Sequence, residues 1–199
     1  MLSNLIKKFS GLALLQGLTV LLPLLVIPHL LSTIEVDGFG RLSLAVAVSS
    51  ILIPFIDLGY QLTGTRDIAD ESKSKSQLLS SFVMQRILVS LVLIIPYSLM
   101  VWLVPNFRAI AQLLALGFVY AFVTALIPNW YFEGQKRFRV VQYVFLLWRL
   151  FYTLSVLVFV RSYGSEFWVL FLNVLGGVLA LSICGVLIAR DKHSLKWMA

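Results

Sequence analysis

Two arginines and one aspartate, Arg86, Arg149 and Asp57, stand inside long apolar stretches of the chain. An arginine at the centre of a bilayer costs about 2.5–3.5 kcal/mol even on lenient insertion scales, so it normally faces a bundle interior or a wet cavity. The neighbours at helical spacing are polar. Arg86 shares a face with Ser90 and Tyr97, Arg149 with Gln142 and Thr153, and Asp57 with Ser50 and Ser43; Gln16, Thr19 and Pro23 line up in the first apolar run. Two readings follow. In one, the arginines pair with Asp57 or with backbone carbonyls and hold helices together. In the other, they line an electropositive cavity for an anion. Attraction between charges is far stronger at low dielectric than in water, so two guanidinium groups there suit a diphosphate. On that reading the candidate substrate-binding residues are Arg86, Arg149, Asp57, Gln16 and Gln142.

Other chemistry has little to stand on. The single cysteine, Cys184, excludes an internal disulfide framework and a cysteine-cluster metal site. His29 and His193 are far apart and match no ligand spacing. There is no phosphate-cradling glycine loop, no zinc motif and no nucleophile elbow. No catalytic residue, metal or cofactor is therefore expected, and an enzyme is not the expectation. The net charge of +7 raises nucleic acid as a partner. The basic residues, however, fall in short clusters between apolar runs rather than on one face, so no nucleic acid is expected.

The elements that must position these residues are membrane helices. The chain is 199 residues long, 60% hydrophobic and 13% charged, with a mean hydropathy of +0.94. A soluble domain carries about a quarter charged residues. Six apolar runs, 10–31, 42–62, 78–104, 110–130, 140–160 and 167–189, each reach the roughly 20 residues needed to span a bilayer. They lack the alternation of barrel strands. The expected fold class is all-α: a polytopic six-helix bundle, with 1–199 as a single transmembrane domain. The first run is longer than a signal-peptide core and lacks a clear cleavage site, so it is read as a retained helix.

Pro23, Pro28, Pro54 and Pro96 are expected to kink or hinge their helices. Gly176, Gly177 and Ala180 offer a small surface for close helix packing, such as a dimer contact. Trp102, Trp130 and Trp168 fall near expected interfaces, as an aromatic belt would.

Orientation follows from the basic residues. Lys7, Lys8, Arg66, Lys73, Lys75, Lys136, Arg137, Arg139, Arg190, Lys192 and Lys196 fall on one side of the membrane. Arg41, Arg108 and Arg161 fall on the other. The positive-inside rule puts the larger set, and with it both termini, in the cytoplasm. The segments 32–40, 105–108 and 161–166 are then short outer loops, and 65–77 is a cytoplasmic loop.

Several segments carry a family resemblance. Gln16-Gly17, then Leu21-Leu22-Pro23-Leu24-Leu25 and Pro28, resemble the first helix of Wzx-type flippases, the polysaccharide transporter branch of the MATE-like (MOP) superfamily. Phe39-Gly40 is similar, as are Asp57-Leu58-Gly59-Tyr60 and Gly64-Thr65-Arg66-Asp67-Ile68-Ala69. The most specific piece is 128–136, Pro-Asn-Trp-Tyr-Phe-Glu-Gly-Gln-Lys, which is similar to the family's P-x-W-x-F-Q-G-x-E/K segment after the fourth helix. Its motif residues here are Asn129, Trp130, Phe132, Glu133 and Gly134, with Glu133 where Gln is common. Arg149-Leu150 also resembles the family pattern.

The resemblance implies an inner-membrane flippase in a bacterium. Its substrate would be an undecaprenyl-diphosphate-linked oligosaccharide for O-antigen, capsule or exopolysaccharide synthesis. It implies two helical lobes around a cationic cavity, worked by alternating access. The family carries about twice as many helices, so this chain is expected to be the N-terminal lobe, a truncated or half-length form. It would be partnered by membrane lipids and by a second lobe or a second copy. The alternatives are a drug or cation extruder lobe of the same superfamily, and a non-transporting subunit of a polysaccharide synthesis complex.

The charge asymmetry makes a direct prediction. In intact cells, single cysteines at Asp70 or Ser74 should resist a membrane-impermeant thiol reagent, and one at Asn106 should react. The reverse pattern overturns the orientation.

Overall fold

The computed structural model describes residues 2–70, 74–160 and 165–196, with side chains over 15–70, 74–160 and 165–191. Lys73, Arg161 and Ser162 thus lie outside the described residues, as do the side chains of Lys7, Lys8, Lys192, His193 and Lys196. All regular elements among the described residues are helical. They are α1 (Leu2–Thr33), α2 (Glu35–Ser50), α3 (Leu52–Asp57), α4 (Tyr60–Ala69), α5 (Lys75–Leu103), α6 (Pro105–Ala109), α7 (Ala111–Leu126), α8 (Asn129–Gly134), α9 (Phe138–Phe159) and α10 (Glu166–Lys196). Grouped by continuity they form six units long and apolar enough to cross a membrane. The chain is an all-α polytopic bundle. Its outer surface is apolar: Leu91, Val92 and Ile95 of α5 are each more than half exposed, a surface suited to lipid and not to water.

α7 lies at the centre. α10 packs along both α7 and α9, α1 along α9, and α2 on α7. Close approach of α10 to α9 depends on small residues. A Cβ on Gly176 would stand 2.6 Å from the Trp148 ring, and one on Gly177 would stand 3.0 Å from it. The small surface of the sixth span is therefore filled from within the chain by Trp148 and is not left free for a second copy. Trp148 is fixed in turn, its Nε1 donating to the Asn173 carbonyl at 2.9 Å.

The second and fourth spans differ from the expected uninterrupted helices. The second runs over Glu35–Ala69 but is interrupted at Ile51 and again at Leu58–Gly59. Both residues of the second break are left-handed, with φ of 50° and 76°; glycine takes such a φ at no steric cost. The expected Asp57/Ser50/Ser43 face keeps its helical phase across Ile51 but lies one position beside the buried stripe. The buried residues of α2 and α3 are Gly38, Leu42, Ala45, Ser49 and Ile56, while Ser50 and Asp57 are half-buried and Ser43 is exposed. The fourth span breaks at Ile127–Pro128, because Pro128 lacks the N–H that a continuing helix needs.

Two expected loops are mostly helix. In 32–40, only Ile34 separates α1 from α2. Glu35 and Asp37 occupy the first turn of α2, where acidic groups favour a helix start. In 65–77, α4 continues to Ala69 and α5 begins at Lys75. The 105–108 connection also holds a short helix, begun by Pro105 at a position where its missing N–H costs nothing. Trp102 and Trp168 are more than half exposed, as a belt requires, but Trp130 is wholly buried.

The break at Leu58–Gly59 is pinned by charge. Arg86, 1% exposed, donates through Nη2 to Asp57 Oδ1. The other Asp57 oxygen accepts the Gln61 backbone N–H at 3.1 Å, holding the first turn of α4. The guanidinium lies 6.0 Å from the Trp130 ring centroid. Phe82 links Tyr60 to Trp130, stacked on the first at 4.7 Å and edge-on to the second at 4.9 Å. Arg86 Nε and Nη1 have no hydrogen-bond partner among the described residues, so the pair carries nearly all of the compensation for a buried charge. Below it, Ser90 donates to the Arg86 carbonyl at 2.7 Å, and Tyr97 donates to the Leu114 carbonyl at 3.0 Å. The face of Arg86, Ser90 and Tyr97 therefore does turn inward.

Removing one partner of a buried pair leaves the other charge uncompensated, at about 3–5 kcal/mol, whereas replacing both with apolar groups is often close to neutral. Asp57→Asn should therefore lower thermal stability in detergent well below the wild type. The double variant Asp57→Leu/Arg86→Met should recover most of that loss. Additive losses would show that the pair does not hold the break.

Candidate functional site

A cleft of about 310 Å³ opens where α1, α8 and α9 meet. Its polar lining comes from all three. α1 supplies Gln16 and Thr19, α8 supplies Asn129 and Glu133, and α9 supplies Gln142 and Arg149. Val20, Val141 and Phe145 complete the wall. The spacing explains the convergence. Gln142, Phe145 and Arg149 recur at i, i+3 and i+7 on one face of α9, and Asn129 and Glu133 are one turn apart on α8. Arg149 is only half-buried, and its guanidinium lies 5.5 Å from the centroid of the buried Trp148 ring. An arginine over a fixed aromatic face is held in place while its donor fork stays open to a ligand.

The segment 129–134 splits by face. Asn129 and Glu133 turn to the cleft, whereas Trp130 and Phe132 are buried on the other side. Gly134 serves the packing: a Cβ there would stand 2.7 Å from the Thr65 carbonyl oxygen of α4. This close approach lets α8 lie on α4. Gln61, one turn past the helix break, then donates to Glu133 Oε2 at 3.1 Å. The cleft and the Asp57–Arg86 pin are thus joined through Gln61, which touches both carboxylates.

The five candidate substrate-binding residues fall into two groups. Gln16, Gln142 and Arg149 are brought together in the cleft. Arg86 and Asp57 are paired with each other against Trp130 and are not part of its lining. The structure brings in Thr19 and Phe145, which were not among those five. Their signal was their spacing, three residues from Gln16 and three from Gln142.

Chemically, the cleft offers one full positive charge, three carboxamides able to donate N–H, and a hydroxyl. The Thr19 hydroxyl already donates to the Gln16 carbonyl at 2.7 Å, which leaves its oxygen as an acceptor. Glu133 is the counterweight: it lowers the positive potential, and its carboxylate is partly satisfied by Gln61. Such a lining suits a ligand with both anionic oxygens and hydroxyl groups. Among the described residues no group of histidines, cysteines and acids is placed to hold a metal ion.

Comparison with known proteins identifies the family of the chain. Residues 5–197 match the family described as "Polysaccharide biosynthesis protein". The chain is also 31% identical over 184 residues to a protein of Escherichia coli (strain K12) named "Putative O-antigen transporter". That match covers 86% of this chain and 43% of the relative, so the chain spans less than half of the relative's length. No solved structure matches it. With nearly the whole described bundle inside the family match, the chain belongs to the polysaccharide biosynthesis protein family.

Proposed function

We propose that this chain forms one lobe of a flippase of the Wzx type. The flippase carries an undecaprenyl-diphosphate-linked oligosaccharide across the bacterial inner membrane for O-antigen, capsule or exopolysaccharide synthesis. The observation that carries this reading is the convergence of Arg149 with Gln16, Asn129 and Gln142 in one cleft of a membrane-spanning bundle. The guanidinium answers the diphosphate, and the carboxamides answer its oxygens and the first sugar hydroxyls. Family membership and the name of the relative support a transport role in polysaccharide or O-antigen synthesis. A cation extruder is supported less well. It needs free carboxylates in its cavity, and the Glu133 carboxylate is engaged by Gln61 while Asp57 is engaged by Arg86.

The cleft is one wall. Gln16 on its rim is exposed and Arg149 is half-buried. Alternating access needs a second bundle moving against the first around the site, so a second lobe or a second copy closes the cleft. Both termini lie in the cytoplasm in this arrangement, and the cleft loads from the end marked by Lys136, Arg137 and Arg139.

The test is binding and translocation with graded charge. A short-chain prenyl diphosphate should bind the reconstituted protein about tenfold or more weakly after Arg149→Ala, the loss expected for a charged hydrogen bond. Arg149→Lys should retain part of the affinity, since it keeps charge but loses the fork. Glu133→Gln should bind more tightly than the wild type. In a transporter holding both lobes, flipping of a fluorescent lipid-linked sugar should fall in the order wild type, Arg149→Lys, Arg149→Ala. Unchanged flipping in Arg149→Ala contradicts the assignment.

A further inference from the structure

At the other end of the bundle lies a second cationic cavity, of about 610 Å³, between the starts of α7 and α10. Arg41, Arg108, Gln112, Ser165 and Glu166 supply its polar lining. Its position is fixed along the chain. Gln112 and Asn129 are 17 residues apart on the fourth span, about 25 Å by helical rise. The cleft and this cavity are therefore separated by most of the thickness of a hydrocarbon core.

The charges here run against the general trend of the chain. Only three arginines fall on this side of the membrane by the loop assignment, and two of them, Arg41 and Arg108, line this one cavity. Neither is committed to a buried structural pair. Arg108 donates through Nε to the Trp102 carbonyl at 2.5 Å and stacks on that ring at 4.9 Å. This holds the guanidinium in place while using one of its five N–H groups. Arg41 donates through Nε to Glu166 Oε1 at 2.7 Å, with its side chain 51% exposed. That contact ties the middle of α2 to the start of α10. It is the outer counterpart of Arg137–Asp191, 2.5 Å apart, which ties α10 to α9 at the opposite end.

We propose that this cavity is a second phosphoryl-binding site, at the end of the bundle opposite the cleft. Its phosphate oxygens take the forks of Arg41 and Arg108 and the Gln112 amide, and they displace Glu166 from Arg41. Occupancy thus exchanges a half-exposed ion pair, 51% exposed at Arg41 and 17% at Glu166 and so partly screened by water, for a phosphate held by two arginines. The tether between α2 and α10 is released in the same event. The site stands on its own residues and does not depend on the assignment of the cleft.

The experiment isolates the cavity by using the Arg149→Gln protein in phosphatidylcholine nanodiscs, titrated with inorganic diphosphate. Binding is expected to persist there. Adding Arg41→Gln and Arg108→Gln should weaken it by about tenfold or more, and adding Glu166→Gln instead should strengthen it, since the competing carboxylate is gone. Because Glu166→Gln predicts a gain, misfolding cannot imitate it. Two further arms identify the source of the phosphate. Competition by phosphatidylglycerol in the disc supports a headgroup site. Competition by a short-chain prenyl diphosphate but not by phosphatidylglycerol supports a site for the carried lipid. Diphosphate binding that is indifferent to Arg41, Arg108 and Glu166 overturns the proposal, as does the absence of binding in the Arg149→Gln protein.

Discussion

Arg86 lies within a helix that crosses about 30 Å of hydrocarbon, and its surroundings follow from keeping that charge out of lipid. Asp57 meets it from a neighbouring span. The second span stops being a regular helix at this point and turns through two left-handed residues immediately after Asp57. The same carboxylate holds the next helix by accepting the Gln61 N–H. Trp130 must then be buried over the guanidinium, which places α8 against α4. One charge pair thus fixes the positions of three short helices. It also accounts for the aromatic layer of Tyr60, Phe82 and Trp130 around it.

The two membrane arginines behave differently for a physical reason. Arg86 is enclosed and has a carboxylate partner. Arg149 is half-buried, rests on Trp148, and faces a cleft whose nearby acid is engaged by Gln61. A closed, compensated charge is a structural pin. An open charge among amides is available to an incoming anion. Gln61 joins the two regions, so a ligand that draws on Glu133 also acts one turn from the helix break. The bundle thereby contains a short route from its cleft to its least regular backbone.

Much of this was legible from residue type and spacing. Six spans follow from hydropathy, because lipid requires long apolar helices. Gln16, Gln142 and Arg149 were recoverable because each lies on a polar stripe of a continuous helix. The reading went astray where packing chooses between adjacent faces. Helical spacing carried from Asp57 back to Ser43 holds across Ile51, but it runs one position beside the buried Leu42, Ser49 and Ile56, and spacing alone does not say which of two neighbouring faces is inside. The same limit hid the role of Trp130. Its place near the end of a span suggests an interface, whereas the structure packs its ring closely on Gly64 and sets it 6.0 Å from the Arg86 guanidinium. The glycines of the sixth span were read as a contact surface, but hydropathy does not say that Trp148 of the same chain fills it. The helical starts at Glu35 and Pro105 were read as loop because polar residues and proline suit both loops and helix beginnings.

The central claim is that the cleft beside Arg149 receives the diphosphate end of a prenyl lipid. Photo-crosslinking measures this most directly. A short-chain prenyl diphosphate carrying a photoreactive group beside the diphosphate is irradiated with the reconstituted protein, and the labelled peptides are mapped. The account predicts label on the α1 segment holding Gln16 and Thr19 and on the α9 segment holding Gln142 and Phe145, suppressed by excess unlabelled diphosphate lipid. Label confined to the lipid-facing surface of α5, around Leu91 and Ile95, and insensitive to that competitor would contradict it.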